Sequence, residues 1–327
     1  VSQSAAVRPE PNYQRKAAIA RGGAVEHTGE VEVRPLADFD LGRTIFQTLE
    51  GRLARFVIAQ RIAKEVRWPE PAAQRVAAAY TAGQAPLPEV SPALRQFLVD
   101  ECDFDVEHAD GSFLDHLYFC FEYGARHYPE RSPLVLLLHS ILGTGTNTFA
   151  MDKAKIPALR ELVSPFEWAQ IEAFPSVLRL LYAGDLRREL WAKVDQAGAL
   201  REVRFQRVID NAPITMSGAD FWIALNYQLI HLVDFMPAAN WAVHQNDTSY
   251  ILLRDLYALL QRAGKLEARV QLDAPKGSSG LVNEPLGWGA WLTTKIPVGM
   301  SENMASQSVR RFSERIGHDL GYRADWG

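Results

Sequence analysis

The sequence predicts an all-α helical bundle followed by an irregular C-terminal extension. Three observations point there. Across residues 38–264, apolar residues recur at three- and four-residue steps, the period of a helix with one buried face. Ser-Pro pairs stand at Ser91-Pro92, Ser132-Pro133 and Ser164-Pro165, each ahead of an apolar run. There Ser can cap a helix and Pro tolerates its first position. After Gly264 the pattern turns to short alternation and then to a stretch rich in Gly, Pro and Ser.

Taken in order, residues 1–37 read as a flexible leader, Ala- and Arg-rich and without the apolar stretch of a secretory signal. Residues 38–68 carry Ile45, Leu49, Leu53, Phe56, Val57 and Ile62 at helical spacing and predict one long amphipathic helix. A short helix opens at Ser91-Pro92 and runs through Phe97 and Leu98. Further helices are expected over 112–127, 133–142, 156–163, 165–181, 185–196, 201–209, 217–245 and 249–263, with Pro175 and Pro237 kinking or dividing two of them. No internal repeat is visible, so 38–264 reads as a single helical domain. Residues 267–272 alternate apolar and polar, predicting a short strand or extended segment. Residues 274–289 read as loop, and a final amphipathic helix is expected over 302–316. The part from 265 to 327 is thus an extension or lid, and its Trp288, Trp291 and Trp326 imply that it packs on something.

Composition narrows the function. The chain has 35 Lys and Arg against 39 Asp and Glu, a net charge of −4 and a pI near 6.1. That balance leaves no electrostatic footprint for nucleic acid and argues against a polybasic membrane-surface protein. The longest pure apolar run, at 134–138, is far short of the ~20 residues of a membrane span. Two cysteines, Cys102 and Cys120, make neither a disulfide framework nor a CxxC metal motif, which favours a reducing, cytoplasmic setting. The expected partner is a small-molecule substrate, with no nucleic acid and no membrane; a homo-oligomer is left open.

Histidines carry the candidate chemistry. Of eight, four lie at 108, 116, 127 and 139. His116 follows Leu114 and Asp115 on an aromatic-rich helix, and His139 ends the apolar run LVLLL ahead of Gly143 and Gly145. A histidine at the end of an apolar helix can project from the core into a cavity. Two on adjacent helices can share one metal, since imidazole suits Zn, Fe, Mn and Ni.

The segment LDHL, followed 23 residues after its histidine by HSILGT, resembles the HD-domain superfamily of all-α metal-dependent hydrolases and oxygenases, and within it an HD-like group of unknown function with a similar HS-x-x-GT segment. The resemblance spans about residues 38–261. It implies that His116 is the first metal ligand and His139 the histidine of the family's His-Asp pair. Ser140 stands where the pair's Asp would be, and Asn240 stands where the closing Asp would be. Both are neutral, so the two-metal centre of the family gives way to a mononuclear one of His116 and His139, completed by one of Asp110, Asp115, His108, His231 or Asp234. His231 and Asp234 lie three apart, a spacing that lets two ligands meet one ion.

Each residue also has a plainer reading. His116 and His139 can be hydrogen-bonded core histidines; His231 and Asp234 can be an ordinary helix pair; Asp110 or Ser112 can cap a helix. The turn 143–146 can present N–H groups to an anion or simply reverse the chain. The resemblance therefore implies an HD-like enzyme acting on a small metabolite through a His-containing pocket, a mononuclear hydrolase or oxygenase using one divalent transition metal (Fe, Mn or Zn). The alternatives are a metal-free degenerate HD fold that binds a ligand, serves as a scaffold or uses the histidines only as acid and base, and an unrelated helical bundle.

Overall fold

A computed structural model describes residues 32–33, 51–61, 66–67, 89–101, 107–108, 111–143, 151–233, 245–270 and 287–327. The helices among them are α1 Arg52–Arg61, α2 Pro92–Glu101, α3 Phe113–His127, α4 Leu134–Leu138, α5 Ile156–Glu161, α6 Pro165–Ala183, α7 Asp185–Ala192, α8 Gly218–Val233, α9 Thr248–Arg262, α10 Trp288–Thr293 and α11 Val298–Ile316. Two-residue ladders pair β1 Glu32–Val33 with β2 Val66–Arg67, and β3 Glu107–His108 with β4 Gly111–Ser112. A three-stranded antiparallel sheet has the order β6-β5-β7, with β5 Glu202–Gln206, β6 Pro213–Ser217 and β7 Tyr322–Asp325.

The fold is built around α8. Every residue from Phe221 to Val233 is buried. A helix apolar on all sides belongs in the middle of a core, not on one layer of it. It is sheathed by α3, α4, α6, α9, β5 and β6. Its entry is tight: the N–H of Gly218 donates to the Arg201 carbonyl at 2.7 Å, and a Cβ on Gly218 would lie 1.9 Å from the Leu200 carbonyl oxygen. Its middle carries a polar clamp. The Asn226 amide donates to the carbonyls of Trp222 and Lys265 and accepts from the N–H groups of Glu267 and Ala268, each at 2.9 Å. Four bonds satisfy the buried amide in full and hold the chain leaving α9 against α8.

Local signals explain most boundaries. Ser164 and Glu167 form a reciprocal capping box at the start of α6, with Pro165 in the first turn, and Gly184 (φ 91°) ends it in the left-handed region. The helix runs undivided through Pro175, where a kink or break was expected. Residues 267–270 keep the expected alternation, with Ala268 and Val270 buried, but pair with no strand among the described residues.

The all-α expectation needs one correction. Residues 201–209, expected as helix, contain β5, in which Val203 and Phe205 are buried while Arg204 points out. That period-2 pattern is met by Ile214 and Met216 of β6 on one side and by β7 on the other. The chain is mostly helical with a small sheet. The part after residue 264 is likewise more regular than an irregular extension. Helix α11 packs on α6 and α9, and β7 completes the sheet. Arg187 of α7 reaches Asp255 of α9 (3.3 Å) and Glu302 of α11 (2.7 Å), while Glu189 accepts from Tyr322 and Trp326, both at 2.8 Å. The leader at 1–37, apart from β1, lies outside the described residues. Of the long helix expected over 38–68, α1 is helical but Val66–Arg67 is instead the strand β2; the rest of that stretch, the end of the 217–245 helix with Pro237, and most of the 274–289 loop also lie outside the described residues. Among the described residues no helix is long and apolar enough to cross a membrane.

Where α11 ends, Gly317 (φ 73°) turns the chain and His318 enters the body, its Nε2–H donating to the Gln206 carbonyl at 3.2 Å. Its Nδ1 is buried without a hydrogen-bond partner among the described residues. Burial, aided by the Arg179 guanidinium, pushes its pKa from the ordinary 6.5 down to about 4. Between those values the unfolded chain binds the proton and the folded chain does not, so stability is full above pH 6.5 and falls as the pH drops toward 4. Urea midpoints measured from pH 7 to pH 4 should show this loss, and His318→Gln should flatten it. A second outcome concerns backbone clearance. Gly218→Ala should cost about 3 kcal/mol, because the new methyl meets a carbonyl that cannot move aside. Gly124→Ala, which meets the end of the Leu136 side chain, should cost less in the same denaturation assay.

Candidate functional site

Helices α3 and α4 pack as neighbours, as the sequence predicts, across the short connection at 128–133. Gly124 allows the approach, since a Cβ there would sit 2.3 Å from Leu136 Cδ1. Val135 to Leu138 are all buried, which drives this single-turn helix into the core and delivers His139 at its end. His139 is 1% exposed. Its Nδ1–H donates to the Leu136 carbonyl at 2.6 Å. A carbonyl can only accept, so Nδ1 carries a proton and this bond fixes the orientation of the ring.

The partner ring is His231, which is 5% exposed on the last turn of α8. The two imidazole centroids are 4.7 Å apart at an interplanar angle of 68°. Phe174 of α6 completes a three-ring cluster, 4.7 Å from His139 and 5.3 Å from His231. Gln228, one turn before His231, donates from Nε2 to the Phe174 carbonyl at 2.9 Å, and its buried Oε1 has no hydrogen-bond partner among the described residues.

Thus the structure brings together two of the sequence's candidates, His139 and His231, and Ser140, which follows His139 in the chain, is buried. The side chain of His116 and all of Asp234 and Asn240 lie outside the described residues, as do the side chains of His108 and Asp115, Asp110, and the turn beyond Gly143. The expected convergence of His116 with His139 is therefore not described. Phe174 and Gln228 were not among the candidates. The signal for Gln228 was its spacing of three before His231, on one helical face. Phe174 had none, being one apolar residue of many. Of the other histidines, His127 is bound into structure: it stacks on Tyr123 at 3.9 Å, and its Nδ1 donates to the Arg269 carbonyl at 3.0 Å.

Two imidazoles bound to one ion at ~2.0–2.1 Å, with ordinary ligand angles, place their ring centroids about 5 Å apart. The His139–His231 separation of 4.7 Å fits that spacing. The hydrogen bond from Nδ1 to a backbone carbonyl also fits, because it is the contact that orients a ligating histidine and raises its basicity. Among the described residues no three or more His, Cys, Asp or Glu side chains are grouped for a metal. No family model, curated protein or solved structure matches this chain.

Contact between the two rings is directly measurable. In a double-mutant cycle with His139→Ala and His231→Ala, the coupling energy from urea denaturation should be about 1 kcal/mol. Additive effects would mean that the rings do not interact.

Proposed function

We propose that this chain is an HD-like enzyme acting on a small metabolite, with its reactive centre built on His139 and His231. The observation that carries the reading is the buried imidazole pair, in which the Nδ1–H of His139 is bound to the Leu136 carbonyl and the ring is held in one orientation. A divalent transition metal at this place would be held by the two imidazoles, with Asp234, three residues after His231, as the carboxylate nearest in sequence. When bound, such an ion supplies Lewis-acid or redox chemistry toward water, oxygen or substrate. The residues themselves contribute positioning. The Leu136 carbonyl orients His139, Phe174 walls one side, and burial keeps bulk water from the rings. Neutral residues at Ser140 and Asn240 favour one ion over the two of the family pattern.

The second reading is a metal-free degenerate HD fold in which the pair serves as acid and base or holds a ligand. The observation favouring it is the close aromatic packing of Phe174 against both rings, which suits a hydrogen-bonded core pair.

Metal analysis of the full chain, purified without an affinity tag, separates the readings. The first expects about one equivalent of Fe, Mn or Zn, lost on His139→Ala and on Asp234→Ala. Metal-free wild-type protein that also fails to take up these ions in an equilibrium titration overturns it in favour of the second. Repair gives a further expected outcome. Ser140→Asp with Asn240→Asp should tighten metal binding and raise the melting temperature in added metal relative to chelator, since each change supplies a carboxylate ligand. Without metal the same double variant should melt lower than wild type, because a buried carboxylate at 140 is then uncompensated.

A further inference from the structure

The three C-terminal tryptophans part company in the structure. Trp326 packs on the core and donates to Glu189, but Trp288 is 73% and Trp291 48% exposed. With Leu292 they occupy positions i, i+3 and i+4, one face of α10, and that face points outward. Helix α1 packs against α10, Gly289 lying on Gln60, and leaves Leu53 and Phe56 exposed as well. Val298 and Met300 add to the outward apolar surface where the chain enters α11. Contiguous large apolar side chains on a surface mark an interaction site.

Charge identifies the occupant. Across α1 (RLARFVIAQR) and residues 287–300 (GWGAWLTTKIPVGM) the sequence has no Asp or Glu, in a chain whose net charge is −4, and Arg52 and Lys295 there are exposed. The Lys295 ammonium lies over the Trp291 ring, 5.2 Å from its centroid. A second copy docking face to face would set these cations against their own kind. An anionic surface would not. Indole, apolar in body with one N–H donor, prefers the boundary between acyl chains and headgroups. We propose that this face docks on an anionic lipid bilayer surface. Trp288, Trp291, Leu292 and Phe56 enter the headgroup boundary, and Arg52 and Lys295 pair with lipid phosphates. The overall charge balance hides this local surplus. The contact is peripheral and requires no spanning helix.

The test is flotation of the full chain with vesicles of equimolar phosphatidylcholine and phosphatidylglycerol, against vesicles of phosphatidylcholine alone. Wild type should float with the anionic vesicles, less so at high salt. Trp288→Ala with Trp291→Ala should lower partitioning about tenfold or more, and so should Arg52→Glu with Lys295→Glu. All four positions are exposed, so circular dichroism and melting temperature should stay at wild-type values. No flotation of wild type with anionic vesicles, or equal flotation of the folded variants, overturns the proposal. So does a wild-type dimer in sedimentation that the tryptophan changes dissolve, which would assign the face to a second copy.

Discussion

Burial of α8 on every side is the constraint from which the rest follows. A helix with no solvent face must be covered all round, and no single layer can do this. The chain answers with α3 and α4 on one side, α6 and α9 on others, and the β5–β6 hairpin at the helix entry. The same burial forces the polar residues of α8 to find partners inside. Asn226 clamps residues 265–268, Tyr227 donates to the Ser132 carbonyl at 2.8 Å, and Gln228 donates to Phe174. Each bond joins α8 to a different segment. Polar groups in its interior thus act as register marks for the elements around it. His231 sits in this series, which is why it meets His139 instead of facing water.

Helices were legible where their period and punctuation agreed. The observed α3, α6 and α9 start and stop within a residue or two of the expected bounds, because capping residues or an apolar stripe mark both ends. Strand β5 was not legible. Its five residues are too few to separate a two-residue from a 3.6-residue period, and two of them are charged. What makes it a strand is β6 and β7 on either side, and β7 is contributed from 322–325, far along the chain. The candidate site shows the same limit. His139 and His231 were each readable as ligand types, but their meeting depends on how α4 and α8 cross, which no local pattern encodes. The contact with Phe174 is a packing result of the same kind.

The C-terminal part illustrates how composition can mislead about role. Residues 274–289 look like a boundary between a domain and an appendage. Yet Ala268 and Val270 lie in the main core, α11 covers α6, and the Arg187–Asp255–Glu302 contacts join three helices from both sides of that stretch. Asn211, held at φ 56° in the β5–β6 turn, adds a further tie by donating to the Gly317 carbonyl and accepting from the Asp319 N–H. The helical part and the C-terminal part pack on one shared core.

The position of β7 has a consequence for synthesis on the ribosome. Strand β5 lies between β6 and β7, so until residues 322–325 emerge one of its edges is open, with N–H and C=O groups facing water or another chain. During that interval α8 lacks α11 behind α6, and His318 is not yet seated on the Gln206 carbonyl. A nascent chain in this state holds its most apolar helix under an incomplete cover. Chaperone dependence and losses to aggregation should therefore concentrate in the interval before the distant strand closes the sheet.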